Sequence, residues 1–517
     1  MFLDPISQAD IINITSNLKS KTSLGHDNLS TKLVKQSIKH ITLPLTHIIN
    51  QSLTTGIVPQ NMKIARVIPI FKSGDKTIFN NYRPISILPA FSKILEKVMA
   101  KKLVNYLDTN NLFYQHQYGF RPKHSTIHPI IHLLNQIAEE NDKESKNVTL
   151  SVFIDLSKAF DTINHDILLS KLQNLGIRGI ANSWFASYLM NRKQYMDLYS
   201  VKSELLDVTC GVPQGSILGP LLFLIYVNDI CNATSLNILS FADDTTVSVS
   251  SSDIPELYVK INSELKKLDD WFRSNKLCLN VKKTKYILFR PTIAYPQFIT
   301  EQIYVNGQEV ERIGNNQNEK AFQFLGIYID ETLTWKYHIE KVCSKIASSN
   351  YIINKVKHTL TKFTLKTLYS TLIQSHINYG LSIWGSSYSI GRVQKAQQKS
   401  IRIIHNKAYN SHTEPLLKNS EILNVHDQYK LNVLTFMYEL KHKKLPNSFN
   451  NLNYFTEQGR PQTRQHTMAN FNRCRTTYTS LLPWHKFPRI WNELDSIHQE
   501  LASLSIFKKK KNSKPVF

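Results

Sequence analysis

Between Lys341 and Thr413 the sequence contains no aspartate and no glutamate, while eleven lysines and arginines fall within the same 73 residues. A solvated helix surface is one explanation, but such surfaces ordinarily mix both signs. The bias favours a track for phosphates. Cysteine is scarce: Cys210, Cys231, Cys278, Cys343 and Cys474 are odd in number, far apart and without paired zinc spacing. That excludes a disulfide scaffold and reads as reduced intracellular thiols, in nucleus or cytoplasm, not secreted. The first residues, MFLDPISQAD, lack the basic head and apolar run of a signal peptide. No long hydrophobic run occurs either. The most apolar segment, Leu218 to Val227 (LGPLLFLIYV), is about half a membrane span and reads as a buried helix.

With 517 residues, 42% of them hydrophobic and 10% aromatic, the chain is a folded protein of two to four domains. Lys and Arg number 63 against 39 acids, for a formal net charge of +24. A polyanionic partner is implied, and nucleic acid is the commonest one.

The order of patterns predicts an α+β core with a helical appendix. The first hundred residues pattern as helices, interrupted by an apolar β run at Lys63–Phe71 and the turn Ser73-Gly74-Asp75. Asn81-Tyr82-Arg83-Pro84 precedes a helix from about Phe91, and the polar run Glu139–Asn147 reads as a loop. A strand follows over Val148–Ile154, where Val148, Leu150, Val152 and Ile154 alternate with Thr149, Ser151 and Phe153 and Asp155 ends the run. The next stretch, KAFDTINHDILLSKLQNLG, is predicted helical as far as Gly176. Gly211–Pro220 is a Gly/Pro-rich loop opening a helix over Leu221–Val227. A hairpin tipped by Asp243-Asp244 precedes a helix near Leu257–Phe272, a strand near Thr284–Phe289 and a glycine-marked strand over Phe322–Ile329. Beyond about Trp335 the chain is helical and basic, and Arg392, Lys395, Lys399 and Arg402 share one helix face as candidate nucleic-acid contacts.

The hairpin reads SLNILSFADDTTVSVS, with two like charges where Asn-Gly would serve a bare turn better. If Asp155 pairs beside it in one sheet, three carboxylates converge, an arrangement that favours bound cations. Hard oxygen donors suit Mg²⁺, which also binds phosphates, and two such ions can clamp the attacking and leaving oxygens of a phosphoryl transfer. A solvent-exposed acidic turn would carry the same string by itself, so its company decides.

That company is YRPISIL (Tyr82–Leu88), QYGFRPKHST (Gln117–Thr126), FIDLSKAFDTINHDIL (Phe153–Leu168), GVPQGSILGPLLFLIYVNDI (Gly211–Ile230), FADD (Phe241–Asp244), KLCLNVKKTKYILF (Lys276–Phe289) and FLGIYID (Phe324–Asp330). In this order the motifs resemble the reverse transcriptase of non-long-terminal-repeat (LINE) retrotransposons, most of all the jockey-type elements of animals. The match is collinear from about Ile11 to Asp330, with weaker likeness to Phe517. Phe241 stands where many reverse transcriptases have Tyr, and Gly25-His26-Asp27-Asn28 replaces a more usual Gly-Pro-Asp-Gly.

The resemblance implies a right-hand fold of fingers, palm and thumb. The expected divisions are an N-terminal extension and fingers over 1–145, a palm with part of the fingers over 146–330, a helical thumb over 331–420 and a helical, basic region over 421–517. It implies that Asp155, Asp243 and Asp244 are catalytic acids holding two Mg²⁺ ions, with Mn²⁺ as an alternative. One ion, at Asp155 and Asp243, would lower the pKa of the primer hydroxyl, and the other would bind the triphosphate. Phe160 matches the bulky side chain that excludes a 2′-hydroxyl, though a core aromatic would look the same. Gln214 and Gly215 match the loop against the nucleotide, and glycine independently permits close backbone approach. Lys72 and Arg83 match triphosphate contacts, Lys283 a lysine near the leaving pyrophosphate (with Lys282 and Lys285 as neighbours), and Phe324, Leu325 and Gly326 the primer grip. Ordinary basic surface groups and a buried strand are the plain alternatives for these.

The expected activity is copying RNA into DNA, with RNA template, DNA primer or target DNA, and deoxynucleoside triphosphates as partners and no membrane. Absence of an endonuclease domain, a Cys/His knuckle and an RNase H carboxylate set suggests a truncated reading frame or a polymerase that works with a separate nicking activity. The rivals are an RNA-dependent RNA polymerase, disfavoured by Phe160, and a catalytically silent RNA-binding remnant of a retroelement, not visible in the intact acids.

Overall fold

Two sheets and the helices around them position everything that follows. The computed structural model describes residues 1–198, 201–291, 301–314, 317–450, 452, 454, 455, 469, 470 and 474–494. The chain opens with helices Gln8–Ser16 and Thr31–Thr55. Their serine N-caps, Ser7 and Ser30, accept the backbone N–H of Asp10 and Leu33, satisfying donors that a helix start leaves unpaired. Strands β1 (Ile64–Phe71) and β2 (Tyr82–Ile87) then form an antiparallel pair. After helices Ala90–Thr109 and Ile127–Asp142 comes β3 (Val148–Ile154). Helices His165–Asn174 and Ile180–Leu189 lead to β4 (Arg192–Leu198), β5 (Val201–Lys202) and β6 (Leu206–Val208). The first sheet has the order β2-β1-β4-β5, with β6 also on β4.

Helix Leu218–Tyr226 feeds the hairpin of β7 (Asn237–Phe241) and β8 (Asp244–Ser251). Helix Ile254–Ser274 leads to β9 (Lys285–Phe289), and the short strands β10 (Tyr304–Val305), β11 (Gln308–Glu309) and β12 (Glu311–Ile313) follow. The second sheet has the order β12-β9-β3-β8-β7, so β3 is central and antiparallel to both neighbours. All seven β3 residues are buried because both faces are covered. Leu150, Val152 and Ile154 join one core with Ile238, Val247 and Leu288. Phe153 turns to the other face and joins a second core with Leu239, Ile287 and Phe289, under helix Ile127–Asp142 and the later helices. Period-two alternation thus survives with apolar packing on both sides.

Three expectations are corrected. The stretch after Asp155 is not helical throughout: residues 157–162 are turns, Lys158 has φ +50°, and the helix begins at His165, because the Asn164 side chain accepts the Ile167 N–H and caps it there. The run Phe322–Ile329 is not one strand but a hairpin, β13 (Phe322–Phe324) and β14 (Ile327–Ile329), with Leu325 at φ +45° and Gly326 at φ +83°. The run Glu139–Asn147 is not all loop, since helix Ile127–Asp142 extends through its first four residues; ahead of helix Ala90–Thr109, Tyr82–Ile87 is a strand in which Pro84 lies opposite Pro69.

From Lys336 onward the described chain is helical, including Lys336–Val356, Ile390–Ile404, Val425–Lys441 and Pro483–Asn492. A buried clasp fastens the last of these to helix Ile127–Asp142: His485 Nε2 lies 2.5 Å from Asp142 Oδ2, and Thr479 donates to Asp142 Oδ1 at 3.0 Å. Of the expected basic C-terminal region, residues 451, 453, 456–468, 471–473 and 495–517 lie outside the described residues. Among the described residues, no helix is long and apolar enough to cross a membrane.

Candidate active site

Asp155 leaves β3 one residue beyond the pairing of Ile154 with Thr245, which sets it beside Asp244, the first residue of β8. Phe241 pairs with Asp244, so the hairpin turns on Ala242 and Asp243 alone. The tip therefore carries one acid, with the second already in the strand. All three carboxylates belong to one end of one sheet. Asp155 is held from the far side: its Oδ2 accepts from Asn280 Nδ2 at 3.0 Å and lies 3.5 Å from Lys283 Nζ. Its backbone N–H donates to Thr284 Oγ1, and its carbonyl accepts the Asn280 N–H at 2.9 Å. Asn280 was not singled out in the sequence, since a polar residue between Leu279 and Val281 carries no signal of where it points.

The acids repel one another. Burial, and then the charge of Asp155, push Asp243 above the usual carboxylate range, and Arg83 and Lys72 partly oppose that rise. Burial, with Asp243 and Asp155 nearby, pushes Asp244 up to about 6, although its surface remains open to water. Three hard oxygen donors whose charges are mutually unfavourable fit a divalent cation, whose binding would remove that penalty. The same electrostatics bring Lys72 and Arg83 within reach of the hairpin. Arg83 pairs with Ile70 in the β1–β2 register, and Lys72, just past β1, donates its N–H to Asn81 O.

Phe160 packs against Phe223 at 4.7 Å between ring centroids and edge-on to Phe120 at 6.2 Å, half-buried. Its carbonyl accepts the Val212 N–H, tying it to the loop of Gln214 and Gly215. That loop is fastened twice more. Gln214 O accepts the Ser86 N–H of β2 at 2.8 Å, and Gln214 Nε2 donates to Asp161 Oδ1 at 2.8 Å. Gly215 has φ +125°, and a β-carbon there would lie 2.6 Å from Ser86 O, so glycine is required. Phe324 packs on Phe153, and Tyr379 Oη donates to Leu325 O at 2.6 Å across the Leu325–Gly326 turn.

The four cations of helix Ile390–Ile404 stand apart from this cluster. Val393, Gln397, Ser400, Ile401 and Ile404 form its buried face. Arg392 pairs with Glu340 at 3.0 Å, an acid one residue before the acid-free stretch, and Arg402 donates to Ser411 O at 2.9 Å. Lys395 and Lys399 are exposed.

Comparison with known proteins agrees with this geometry. Over 423 residues the chain is 28% identical to the Drosophila melanogaster protein named "Probable RNA-directed DNA polymerase from transposon BS", covering 79% of this chain and 45% of that protein. It is 25% identical over 442 residues to the RNA-directed DNA polymerase from mobile element jockey of the same fly (82% and 47%). To the jockey polymerase of Drosophila funebris it is 24% identical over 416 residues (78% and 44%). The chain thus spans less than half the length of these relatives. Residues 70–329, half of the chain and the span that holds the whole second sheet and all three acids, match the family of reverse transcriptases (RNA-dependent DNA polymerases), and the chain belongs to that family.

Proposed function

We propose that this chain is the polymerase of a non-long-terminal-repeat retrotransposon and copies RNA into DNA by extending a primer 3′-hydroxyl. The observation that carries the proposal is the convergence of Asp155, Asp243 and Asp244 at one sheet end, with Lys72, Arg83 and Lys283 around them. In the reaction the primer 3′-oxygen forms a bond to the α-phosphorus, the bond to the bridging oxygen breaks, and pyrophosphate leaves. Asp155, Asp243 and Asp244 would hold two Mg²⁺ ions, or Mn²⁺ in their place, which supply acidification of the hydroxyl and neutralisation of phosphate charge. Lys72 and Arg83 bind the triphosphate, Arg83 with a fork suited to two phosphate oxygens. Lys283, now 3.5 Å from Asp155, offsets charge developing on the pyrophosphate. Gln214 and Gly215 support the nucleotide, and Phe160, clamped between Phe120 and Phe223, excludes a ribose 2′-hydroxyl.

In this reading the β1–β2–β4 sheet serves as fingers within 1–145 and part of 146–330, the second sheet as palm, and the helices of 331–420 as thumb ahead of the region 421–517. Phe324, Leu325 and Gly326 seat the primer. Arg392, Lys395, Lys399 and Arg402 contact duplex phosphates. A separate nicking activity would serve integration. The RNA-polymerase reading is disfavoured by the rigid aromatic packing of Phe160. Primer extension on a generic RNA template with Mg²⁺ tests the proposal: deoxynucleotide incorporation is expected, and its absence with intact RNA binding would favour a silent remnant.

A further inference from the structure

We propose that Gln117 is a positioning residue that holds the Ala242–Asp243 turn in its metal-binding conformation. A two-residue hairpin turn favours glycine where φ is positive. Here the first position is Ala242, at φ +59°. A non-glycine residue seldom holds that conformation without support from outside the turn.

The support comes from a segment that precedes the turn by more than a hundred residues. Residues 116–118 run along the free edge of β7: the Ser240 N–H donates to His116 O at 3.0 Å, and the Tyr118 N–H donates to Ser240 O at 2.8 Å. Between them the Gln117 side chain, 3% exposed, reaches the turn. Its Oε1 accepts the Ala242 N–H and the Gly119 N–H, both at 2.9 Å, and its Nε2 makes a longer 3.5 Å contact to Ala242 O. Gly119 closes the fit, because a β-carbon there would lie 2.2 Å from the Ala242 nitrogen. One amide group therefore satisfies a buried donor on each side of the contact, and the glycine lets the two backbones approach closely enough for it to do so. Loss of the acceptor leaves the Ala242 N–H buried and unpaired, and the turn can then relax, carrying Asp243 with it.

The catalytic consequence rests on the polymerase reading, but the clamp itself does not, so the test reads both. Gln117→Met removes the acceptor at nearly constant volume, and Gln117→Glu keeps both accepted bonds. Ala242→Gly, combined with Gln117→Met, removes the backbone strain that the clamp opposes. Hydrogen–deuterium exchange of the Leu239–Thr246 peptide, Mn²⁺ binding by electron paramagnetic resonance and single-nucleotide incorporation would be measured on each. Gln117→Met should speed exchange at the turn and weaken Mn²⁺ binding, each by about 10- to 100-fold, the range expected when a buried N–H loses its acceptor. Incorporation should fall at limiting Mg²⁺ and recover in part as Mg²⁺ rises. Gln117→Glu should keep the exchange protection, and the double variant should regain Mn²⁺ affinity. Parental exchange and Mn²⁺ affinity in a folded Gln117→Met protein would overturn the clamp. If Gln117→Met misfolds, loss of protection in Gln117→Glu overturns it instead. A parent that extends no primer, with exchange responding as described, would leave the clamp standing and remove the polymerase reading.

Discussion

The acid-bearing hairpin and the basic helix Ile390–Ile404 handle charge in opposite ways. At the hairpin the surrounding groups are directed: Asp155 by Asn280 and Lys283, Gln214 by Asp161, and Ala242 by Gln117. On the helix two arginines are partnered within the protein, while Lys395 and Lys399 stand in solvent. Chemistry at a phosphorus atom depends on fixed geometry, whereas holding a duplex by its backbone depends mainly on potential. The first region should tolerate almost no displacement and little depend on salt. The second should tolerate single substitutions and respond strongly to salt.

Short of removing a carboxylate, the largest expected effect breaks the geometry alone. Gly119→Ala forces the 117–119 segment away from Ala242 and should slow single-nucleotide incorporation by about 100-fold, the scale of a misplacement near 1 Å. Template–primer affinity, measured by filter binding, should not change, and a matching loss of affinity would show that the two regions are not separate. Next is selectivity. Phe160→Val opens the space beside Phe120 and Phe223 and should reduce discrimination against ribonucleotides by roughly tenfold or more. Unchanged discrimination in competition assays would remove Phe160 from that role.

The pH dependence follows from the raised carboxyls. Asp244 lies at about 6 and Asp243 above its usual range, so both take up protons sooner on acidification than free carboxyls do. Below about pH 6, protons should compete with divalent cations, and incorporation should fall with a slope approaching tenfold per pH unit for each proton taken up. Raising the metal concentration should move this acid limb to lower pH. The sign for folding is the reverse of an ordinary acid: the charged hairpin disfavours the metal-free fold at neutral pH, and that cost is relieved as pH falls through about 6 toward the ordinary carboxyl range. A limb unmoved by metal would separate the carboxyls from cation binding.

The smallest effect concerns the helix. Neutralising Lys395 and Lys399 together should flatten the log–log salt slope of template–primer binding by about 1.4 to 1.8, at 0.7 to 0.9 per phosphate contact. Adding Arg392→Ala and Arg402→Ala should give less than that again, because Glu340 and Ser411 already engage them. Equal increments would mean that both arginines release their partners on binding.

Much of this was legible in the sequence where one short segment carries its own instruction. Val148–Ile154 alternates Val148, Leu150, Val152 and Ile154 with Thr149, Ser151 and Phe153 and emerges as the central strand, and the FADD string marks the hairpin beside it. What stayed hidden depends on distant partners. Nothing near Gln117 indicates an N–H 125 residues away, and the acid-free stretch looked wholly unpaired because Glu340 lies just outside it. The helix expected through Phe160 failed for a local reason, since Asn164 caps a later start. The strand expected at Phe322–Ile329 split because Leu325 takes positive φ with Gly326 and makes a turn.

The central claim is that the three carboxylates at the sheet end carry nucleotide transfer. The most direct test compares the parent and Asp243→Asn for incorporation of one deoxynucleotide on an RNA template, at saturating Mg²⁺ and with template–primer occupancy measured to be equal. The account predicts that the parent incorporates and that Asp243→Asn, lacking a charged metal ligand and repelling phosphate less, binds at least as tightly yet extends no primer. Incorporation by Asp243→Asn at the parental rate would contradict it.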